Sequence, residues 1–221
     1  GHVLSKTALR RNQLARFKGT PKHPTCRGFT LVEAMITVSI IGILAGYAVP
    51  NFRLWLKELR MDEAVSVLHA SVLRARAEAQ RTNSRVSLCR TGDIYASDPD
   101  CNANITGTST PVADQDWSYG WLIYTTTDIA VDYDPSLGHE LIAAVDTGTS
   151  DKNVVVNSSA DVPTHFTYGA NGRISTGNPV YAICDDRNGG EHGFRLTFSA
   201  TGRPLIEQFA NLAGADRNCT P

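Results

Sequence analysis

The stretch GFTLVEAMITVSIIGILAGYAVP, residues 28–50, decides how this chain is organised. Between residues 29 and 49 the only charged side chain is that of Glu33. As an α-helix these 21 residues would measure about 30 Å, which matches the hydrocarbon thickness of a bilayer. The sequence therefore predicts a helix over 29–49 that can span a membrane once.

The first 28 residues form a basic leader. They contain no acidic side chain and seven cationic ones: Lys6, Arg10, Arg11, Arg16, Lys18, Lys22 and Arg27. Basic flanks of a membrane helix stay preferentially on the cytoplasmic side. The leader is therefore predicted to lie in the cytoplasm, and everything after Val49 on the other side of the membrane.

Glu33 is the unusual residue of the apolar stretch. An ionisable group inside a membrane helix costs about 2.5–3.5 kcal/mol on insertion scales when it is central, and still something near the end. Such a carboxylate needs a partner, so Glu33 is predicted to be functional.

The basic leader, the glycine before Phe29 and the placement of Glu33 together resemble the signal of type IV prepilins and pseudopilins. The resemblance implies that a prepilin peptidase cuts after Gly28 and methylates the new terminus at Phe29. Glu33, then the fifth residue, would meet the terminal amine of a neighbouring subunit during assembly. Pro50 falls at the position where helices of this family kink.

Other interpretations of the apolar stretch stay open. A secretory signal peptide also has a basic and then an apolar region, and Gly46-Tyr47-Ala48 offers small residues for cleavage after Ala48. A plain single-pass anchor or a buried core helix would need neither Glu33 nor the glycine before Phe29. A core helix, moreover, is seldom apolar on every face over such a length.

A helix is predicted to continue over 50–83. Apolar residues recur at steps of three and four, which gives one stripe: Met61, Val65, Leu68, Val72, Ala75 and Ala79. Such a stripe packs against a sheet; a coiled-coil seam is the alternative, although the stripe is short for one. Asn83-Ser84 ends the pattern.

From residue 84 to residue 221 the pattern predicts a β-rich head. An extended region begins at 85–89, and the other predicted strands are 117–124, 141–145, 153–156, 166–168, 180–184, 194–198 and 205–209. Asn171-Gly172 and Ala200-Thr201-Gly202 are the hairpin signals, and 91–116 is predicted to be a surface loop. One long helix followed by an antiparallel sheet is an α+β fold, and it coincides with the pilin fold.

The distal half resembles minor pilins and pseudopilins of the FimT/FimU and GspH type. The residues that carry the resemblance are Gly120-Trp121, Ile183-Cys184-Asp185 and the run from Phe194 to Arg203. It implies a structural, non-enzymatic subunit that waits in the inner membrane with its head in the periplasm. There it would join other minor pilins and the major pilin at the tip of a type IV pilus. The alternative is the corresponding pseudopilin of type II secretion.

A third hypothesis is a DNA-binding uptake pilin. The branch of the family that binds DNA carries Gly-Arg-x-Arg near the carboxy terminus, whereas this chain has Gly202-Arg203-Pro204-Leu205 and so lacks the second arginine. Residues 91–221 also hold six basic side chains against seventeen acidic ones. Because affinity for phosphate grows with the number of cations, DNA is an unlikely partner, and Arg203 is the only candidate contact.

Signals for catalysis, metals and cofactors are weak. The chain has no phosphate-binding loop, no nucleophile elbow and no helix with paired zinc-binding histidines. Three acidic pairs could attract calcium, namely Asp98 with Asp100, Asp114 with Asp116, and Asp132 with Asp134. They lack the rest of a defined calcium loop, so we expect no enzyme activity, no metal and no cofactor.

Four cysteines follow the leader: Cys89, Cys101, Cys184 and Cys219. An even number in an exported domain predicts two disulfides, for which three pairings exist. The favoured pairing joins Cys89 to Cys101, closing the loop onto the first strand, and Cys184 to Cys219, tying down the tail. Free thiols or metal ligands are the alternative.

The Gly28–Phe29 junction gives the first testable prediction. Mass spectrometry of the protein from its native membrane should show a chain that begins at an N-methylated Phe29. A chain that begins after Ala48 would instead establish a secretory signal peptide and exclude the pilin interpretation.

Overall fold

The computed structural model describes residues 28–101, 104, 113, 115–129, 131–147, 154–159, 164–187, 192–212 and 219. The predicted leader lies outside this part of the chain except for Gly28. Two compact units are present, Gly1–Tyr47 and Ala48–Pro221. The first helix, α1 (Leu31–Thr82), begins in one unit and ends in the other.

In the first unit, α1 exposes apolar side chains on every face. Its hydroxyl groups are satisfied within the helix: Thr37 Oγ1 donates to the Ala34 carbonyl at 2.9 Å, and Ser39 Oγ to that of Met35 at 2.8 Å. A lipid-exposed helix must satisfy its polar groups in this way. By length and composition, this is the one helix among the described residues that could cross a membrane, a criterion that a signal sequence also meets.

In the second unit, α1 packs onto the head through the predicted stripe. Its residues are almost fully buried: Met61, Val65, Leu68, Val72, Ala75 and Ala79. The stripe is core and no coiled-coil seam, because strands of both sheets contribute to the same hydrophobic cluster. The helix ends where expected, since Asn83 adopts a left-handed conformation with φ 51° and Ser84 N–H bonds the Ala79 carbonyl.

The eight strands form two four-stranded antiparallel sheets. They are β1 (Arg85–Arg90), β2 (Trp121–Thr126), β3 (Leu141–Val145), β4 (Val154–Ser158), β5 (His165–Tyr168), β6 (Tyr181–Asp185), β7 (Phe194–Phe198) and β8 (Pro204–Gln208). The strand orders are β3-β2-β1-β5 and β4-β6-β7-β8. The α+β prediction is confirmed, and the antiparallel strands are divided between two sheets.

The division of the strands into two sheets explains why the hairpin predicted at Asn171-Gly172 is only a turn. At Asn171-Gly172 the chain does reverse, with Gly169 N–H bonded to the Arg173 carbonyl at 2.8 Å. The returning arm is a single bridge between Tyr168 and Ile174, since the chain then leaves for β6 in the other sheet. The second signal, at Ala200-Thr201-Gly202, forms the β7–β8 hairpin as predicted.

The predicted and observed boundaries differ by one to four residues in six strands, namely β1, β2, β4, β5, β6 and β8. The strand predicted from Trp117 begins at Trp121, because Gly120 with φ 136° interrupts the extended backbone. Val180 precedes β6, and Phe209 follows β8 in a short 3-10 turn. The predicted loop at 91–116 is less exposed than expected, since Thr91, Gly92 and Cys101 are buried.

Aromatic side chains fill the centre of the core. The rings of Trp117 and Tyr181 meet edge to face with centroids 5.1 Å apart, and Phe166 lies 6.3 Å from Trp117 and 6.0 Å from Tyr181. Such pairs add about 0.5–1.5 kcal/mol beyond area burial. Because Phe166 belongs to one sheet and Tyr181 to the other, this cluster joins the two sheets.

Arg76 of α1 ties together a turn from each sheet. Its Nε donates to the Gly172 carbonyl at 3.0 Å, and its Nη2 to the Thr201 carbonyl at 3.1 Å. Beside it, the buried Tyr168 hydroxyl donates to the Gly202 carbonyl at 2.9 Å. One guanidinium thus fixes the helix against both sheets.

Two disulfides are present, and they are the pairings favoured from the sequence. Cys89 on β1 is joined to Cys101 with a Cα–Cα distance of 5.4 Å, and Cys184 on β6 to Cys219 with 5.9 Å. The first holds the loop after β1 against the sheet. The second attaches the tail, where the Cys219 carbonyl also accepts from Asn157 Nδ2 at 2.9 Å.

The contact between the two turns can be tested with a pair of glycine substitutions. A Cβ at Gly202 would lie 2.4 Å from the Gly172 carbonyl oxygen, whereas a Cβ at Gly138 would meet nothing within 4 Å. Both glycines have positive φ, so Gly138→Ala measures the backbone cost alone, about 1–2 kcal/mol. We expect Gly202→Ala to cost about 1–3 kcal/mol more.

Urea unfolding of the head fragment, residues 56–221, would measure both free energies. Equal costs for the two variants would show that the turns do not hold each other in place.

Candidate assembly site

The amino end of α1 is built by a helix cap. Thr30 precedes the first helical residue, and its Oγ1 accepts a hydrogen bond from Glu33 N–H at 3.2 Å. Its carbonyl accepts from Ala34 N–H at 3.1 Å, the first bond of the helix. A threonine cap of this kind stabilises a helix by about 1 kcal/mol, so the helix starts two residues after the predicted terminus at Phe29.

Glu33 occupies the third helical position after this cap. A Thr-x-x-Glu sequence at a helix start is the capping-box pattern, and the sequence-based analysis missed it although Thr30-Leu31-Val32-Glu33 displays it. A carboxylate in the first turn also interacts favourably with the positive end of the helix dipole. Glu33 is therefore favourable for the helix as well as charged.

The Glu33 carboxylate has no ion-pair partner within the part of the chain that the structure describes. Phe29 and the apolar residues that follow it are also exposed. The Glu33 carboxylate is thus a negative charge at an apolar and exposed helix end. A cation from another molecule would neutralise it.

Pro50 lies within α1, and the helix continues on both sides of it. The kink expected there stays a prediction.

Further along α1, ion pairs connect the helix to the end of β6. Lys57 Nζ donates to both oxygens of Asp186, at 2.7 and 2.8 Å. These hydrogen bonds hold the pKa of the Asp186 carboxyl below its usual value. Arg187 adds a pair with Asp185 at 2.5 Å and a longer one with Glu58 at 4.0 Å. No local sequence signal identified these contacts.

Arg203 lies in the turn between β7 and β8, where it is exposed. Its backbone N–H donates to Ser199 Oγ at 3.1 Å, a bond that closes the turn. Two positions later β8 carries Leu205, half exposed, where the DNA-binding pattern requires an arginine. The turn therefore offers one of the two cations of that pattern.

Two carboxylates of the acidic pairs considered for calcium, Asp134 and Asp116, accept hydrogen bonds within turns. Asp134 Oδ1 accepts from Ser136 N–H at 2.8 Å, and hydrogen bonding from Ser136 lowers the pKa of Asp134. Asp116 Oδ1 accepts from Ser118 N–H at 2.9 Å. Asp114 lies outside the described residues, and among those described no three metal-ligating side chains come together.

Comparison with protein families gives two matches on separate parts of the chain. Residues 64–202 match the family described as type II transport protein GspH, and residues 24–49 match the prokaryotic N-terminal methylation motif. The chain belongs to the GspH family. This family is one of those that the distal half of the sequence resembles.

Curated relatives match short segments of the chain. The type IV major pilin PilA of Myxococcus xanthus is 50% identical over 48 residues, which is 22% of each protein. A fimbrial protein of Pseudomonas aeruginosa is 43% identical over 53 residues, 24% of this chain and 33% of that one. The chain spans between about a fifth and two fifths of the length of such relatives.

Among solved structures, the type IV minor pilin FimU of Pseudomonas aeruginosa aligns with a TM-score of 0.46 and 20% identity. The alignment covers 72% of this chain and 92% of FimU.

The next prediction concerns Glu33. Substitutions can remove its charge while the capping oxygen of Thr30 is kept. Glu33→Ala and Glu33→Gln should both insert and be cleaved, yet fail to enter the assembled structure, since each removes the charge that would attract a terminal amine. Thr30→Ser is the control that retains the capping oxygen and should assemble normally. Immunoblots of membrane and sheared fractions would measure incorporation. Normal incorporation of Glu33→Gln would mean that the charge is dispensable.

Proposed function

We propose that this protein is a minor pilin that primes assembly of a type IV pilus and lies at its tip. The observation that carries the proposal is the combination, in one chain, of a methylation-motif helix bearing a single carboxylate and a GspH-family head. Before assembly the chain is held in the inner membrane by residues 29–49, with residues 84–221 in the periplasm. Its role is structural rather than enzymatic.

Assembly begins with processing by the prepilin peptidase. Cleavage after Gly28 turns the amide of Phe29 into an amine, and methylation leaves that amine able to carry a positive charge. Since Thr30 caps the helix directly afterwards, the new charge lies close to the helix start. The cut thus exposes a cation at the end of a helix whose carboxylate is four residues away.

A neighbouring subunit then completes the pair. In a low-dielectric environment an unpaired charge is expensive, whereas a paired one regains much of that cost. Within one chain, however, the terminus and Glu33 are both at the start of the same helix. A favourable arrangement for two subunits places the Glu33 carboxylate of one beside the Phe29 amine of the next, which fixes their axial offset.

The proposed partners are other minor pilins and the major pilin. In support, segments of 48 residues are 42–50% identical to major pilins, and residues 24–49 carry the methylation motif.

The second candidate is a minor pseudopilin of type II secretion, favoured by the description of the matching family as a type II transport protein. The anchor, the processing and the pairing of Glu33 would be the same. Only the assembly that receives the subunit would differ.

A DNA receptor is the least favoured candidate. Arg203 stands without the second arginine of the binding pattern, and the residues beyond 90 are strongly acidic. Both features weaken attraction to phosphate.

Deletion of the gene separates the candidates. We expect the number of surface pili per cell to fall sharply, because the complex that primes the filament would be incomplete. Electron microscopy of the cells would measure this number. Complementation with Arg203→Gln should restore piliation fully, whereas Glu33→Gln should not. Normal piliation with a loss of secreted enzymes would favour the pseudopilin, and normal piliation with a loss of DNA uptake would favour the receptor.

A further inference from the structure

A second apolar stripe lies on α1 immediately after the proposed membrane segment. It consists of Phe52, Trp55 and Leu59, whose exposed fractions are 55%, 51% and 42%. The rings of Phe52 and Trp55 are 5.5 Å apart, so the two form one surface. We call these three residues the collar.

The collar faces away from the head. At about 100° of rotation per residue, its members lie on the helix side opposite to the buried stripe that starts at Met61. Leu54 lies on the same side as the buried stripe but is itself 49% exposed, so the head does not cover it. The apolar surface of the collar is therefore not explained by packing within this subunit.

Cations flank the collar. Arg53 and Arg60 are exposed and make no hydrogen bond or ion pair in the described residues. The acidic groups at the same level are occupied: Asp186 binds Lys57, and Arg187 pairs with Asp185 and more loosely with Glu58. Arg53 and Arg60 thus place positive charge beside the exposed aromatic surface, while Asp62 and Glu63 follow beyond Leu59.

The collar is short. From Phe52 to Leu59 it extends about 10 Å along the helix, and on the same face it is followed by exposed Asp62 and Glu63. A seam between helices would continue along their length. A length of about 10 Å instead corresponds to the headgroup layer, which adds roughly 5–8 Å on each side of the hydrocarbon core.

We propose that the collar docks on the periplasmic surface of an anionic bilayer, with Phe52 and Trp55 in the interfacial layer and Arg53 and Arg60 on lipid phosphates. This inference rests on the proposed membrane anchor, since the collar follows Val49 within the same helix. Aromatic rings are enriched at that depth, and cations near the bilayer are attracted to anionic lipid phosphates.

The consequence is a defined orientation of the head. Because Lys57 holds Asp186, the β6–β7 end of the head lies at the level of the collar. Asp186 and Asp185 would then be near lipid phosphates, and they are already paired with Lys57 and Arg187. The unassembled subunit would then be held at a fixed depth, ready for a neighbour.

Fluorescence of the full chain in vesicles tests the proposal. The protein has three tryptophans; Trp117 and Trp121 are fully buried in the head, so only Trp55 is accessible to lipid. In vesicles of phosphatidylcholine and phosphatidylglycerol, we expect lipids brominated near the headgroup to quench the emission more than lipids brominated at the chain end. This loss should vanish in Trp55→Phe.

A displaced tryptophan provides the matched control. Leu73 is exposed on the same face of α1, 18 residues beyond Trp55, or about 27 Å along the helix. Leu73→Trp in the Trp55→Phe background should not be quenched. Arg53→Gln with Arg60→Gln should reduce the difference in quenching between anionic and neutral vesicles, whereas Arg81→Gln, exposed near the end of the helix, should not.

The possible results separate this inference from the anchor itself. Unquenched Trp55 in a protein that resists carbonate extraction would overturn the collar and leave the anchor intact. Extraction by carbonate would overturn both. A blue-shifted Trp55 emission that appears in detergent only at high protein concentration, without lipid quenching, would assign the stripe to contacts between subunits and so contradict the proposal.

Discussion

One helix has to satisfy two surroundings, and the rest of the structure depends on that constraint. In residues 29–49 every face is apolar and hydroxyl groups bond within the helix, as lipid requires. From Met61 onward only one face is apolar, and it is buried by the head. The head packs on the part of the helix that carries a single apolar stripe. There the strands cover the stripe, and the polar faces of the helix stay in contact with water.

The head is organised around this stripe. Both sheets contribute to the cluster that covers it, and Arg76 supplies the polar link, since its guanidinium binds carbonyls from a turn of each sheet. A long cation suits this place: the carbonyls at the turns need donors, and the fork geometry of arginine provides two at fixed spacing. The close approach of the two turns then explains Gly202, whose Cβ would meet the Gly172 carbonyl oxygen, whereas a Cβ at Gly172 would meet the Gln80 side chain.

Features encoded locally were predictable from the sequence. The spacing of apolar residues predicts the stripe from Met61 to Ala79 and the strands. A short turn sequence predicts the β7–β8 turn. The division into two sheets was not, because it depends on which strands meet after the chain reverses at Asn171-Gly172. The contacts of Arg76 and Lys57 span 96 to 129 residues, and nothing in a single sequence marks such pairs.

The assembly site at the start of α1 was also predicted only in part. Glu33 was found because a charge in an apolar run is conspicuous, whereas the cap at Thr30 was overlooked although its pattern is local.

The distribution of charge follows from the same helix. Acidic residues dominate beyond residue 90, yet Asp185 and Asp186 at the end of β6 are paired with Arg187 and with Lys57 of the helix. Pairing of these two is needed if they approach a bilayer, since unpaired carboxylates would be repelled by anionic headgroups. Leaving the bilayer would uncover the collar, and exposed aromatic surface is unfavourable in water. Extraction of the subunit is therefore favourable only if another surface replaces the lipid at Phe52 and Trp55, which couples release from the membrane to contact with a neighbouring subunit.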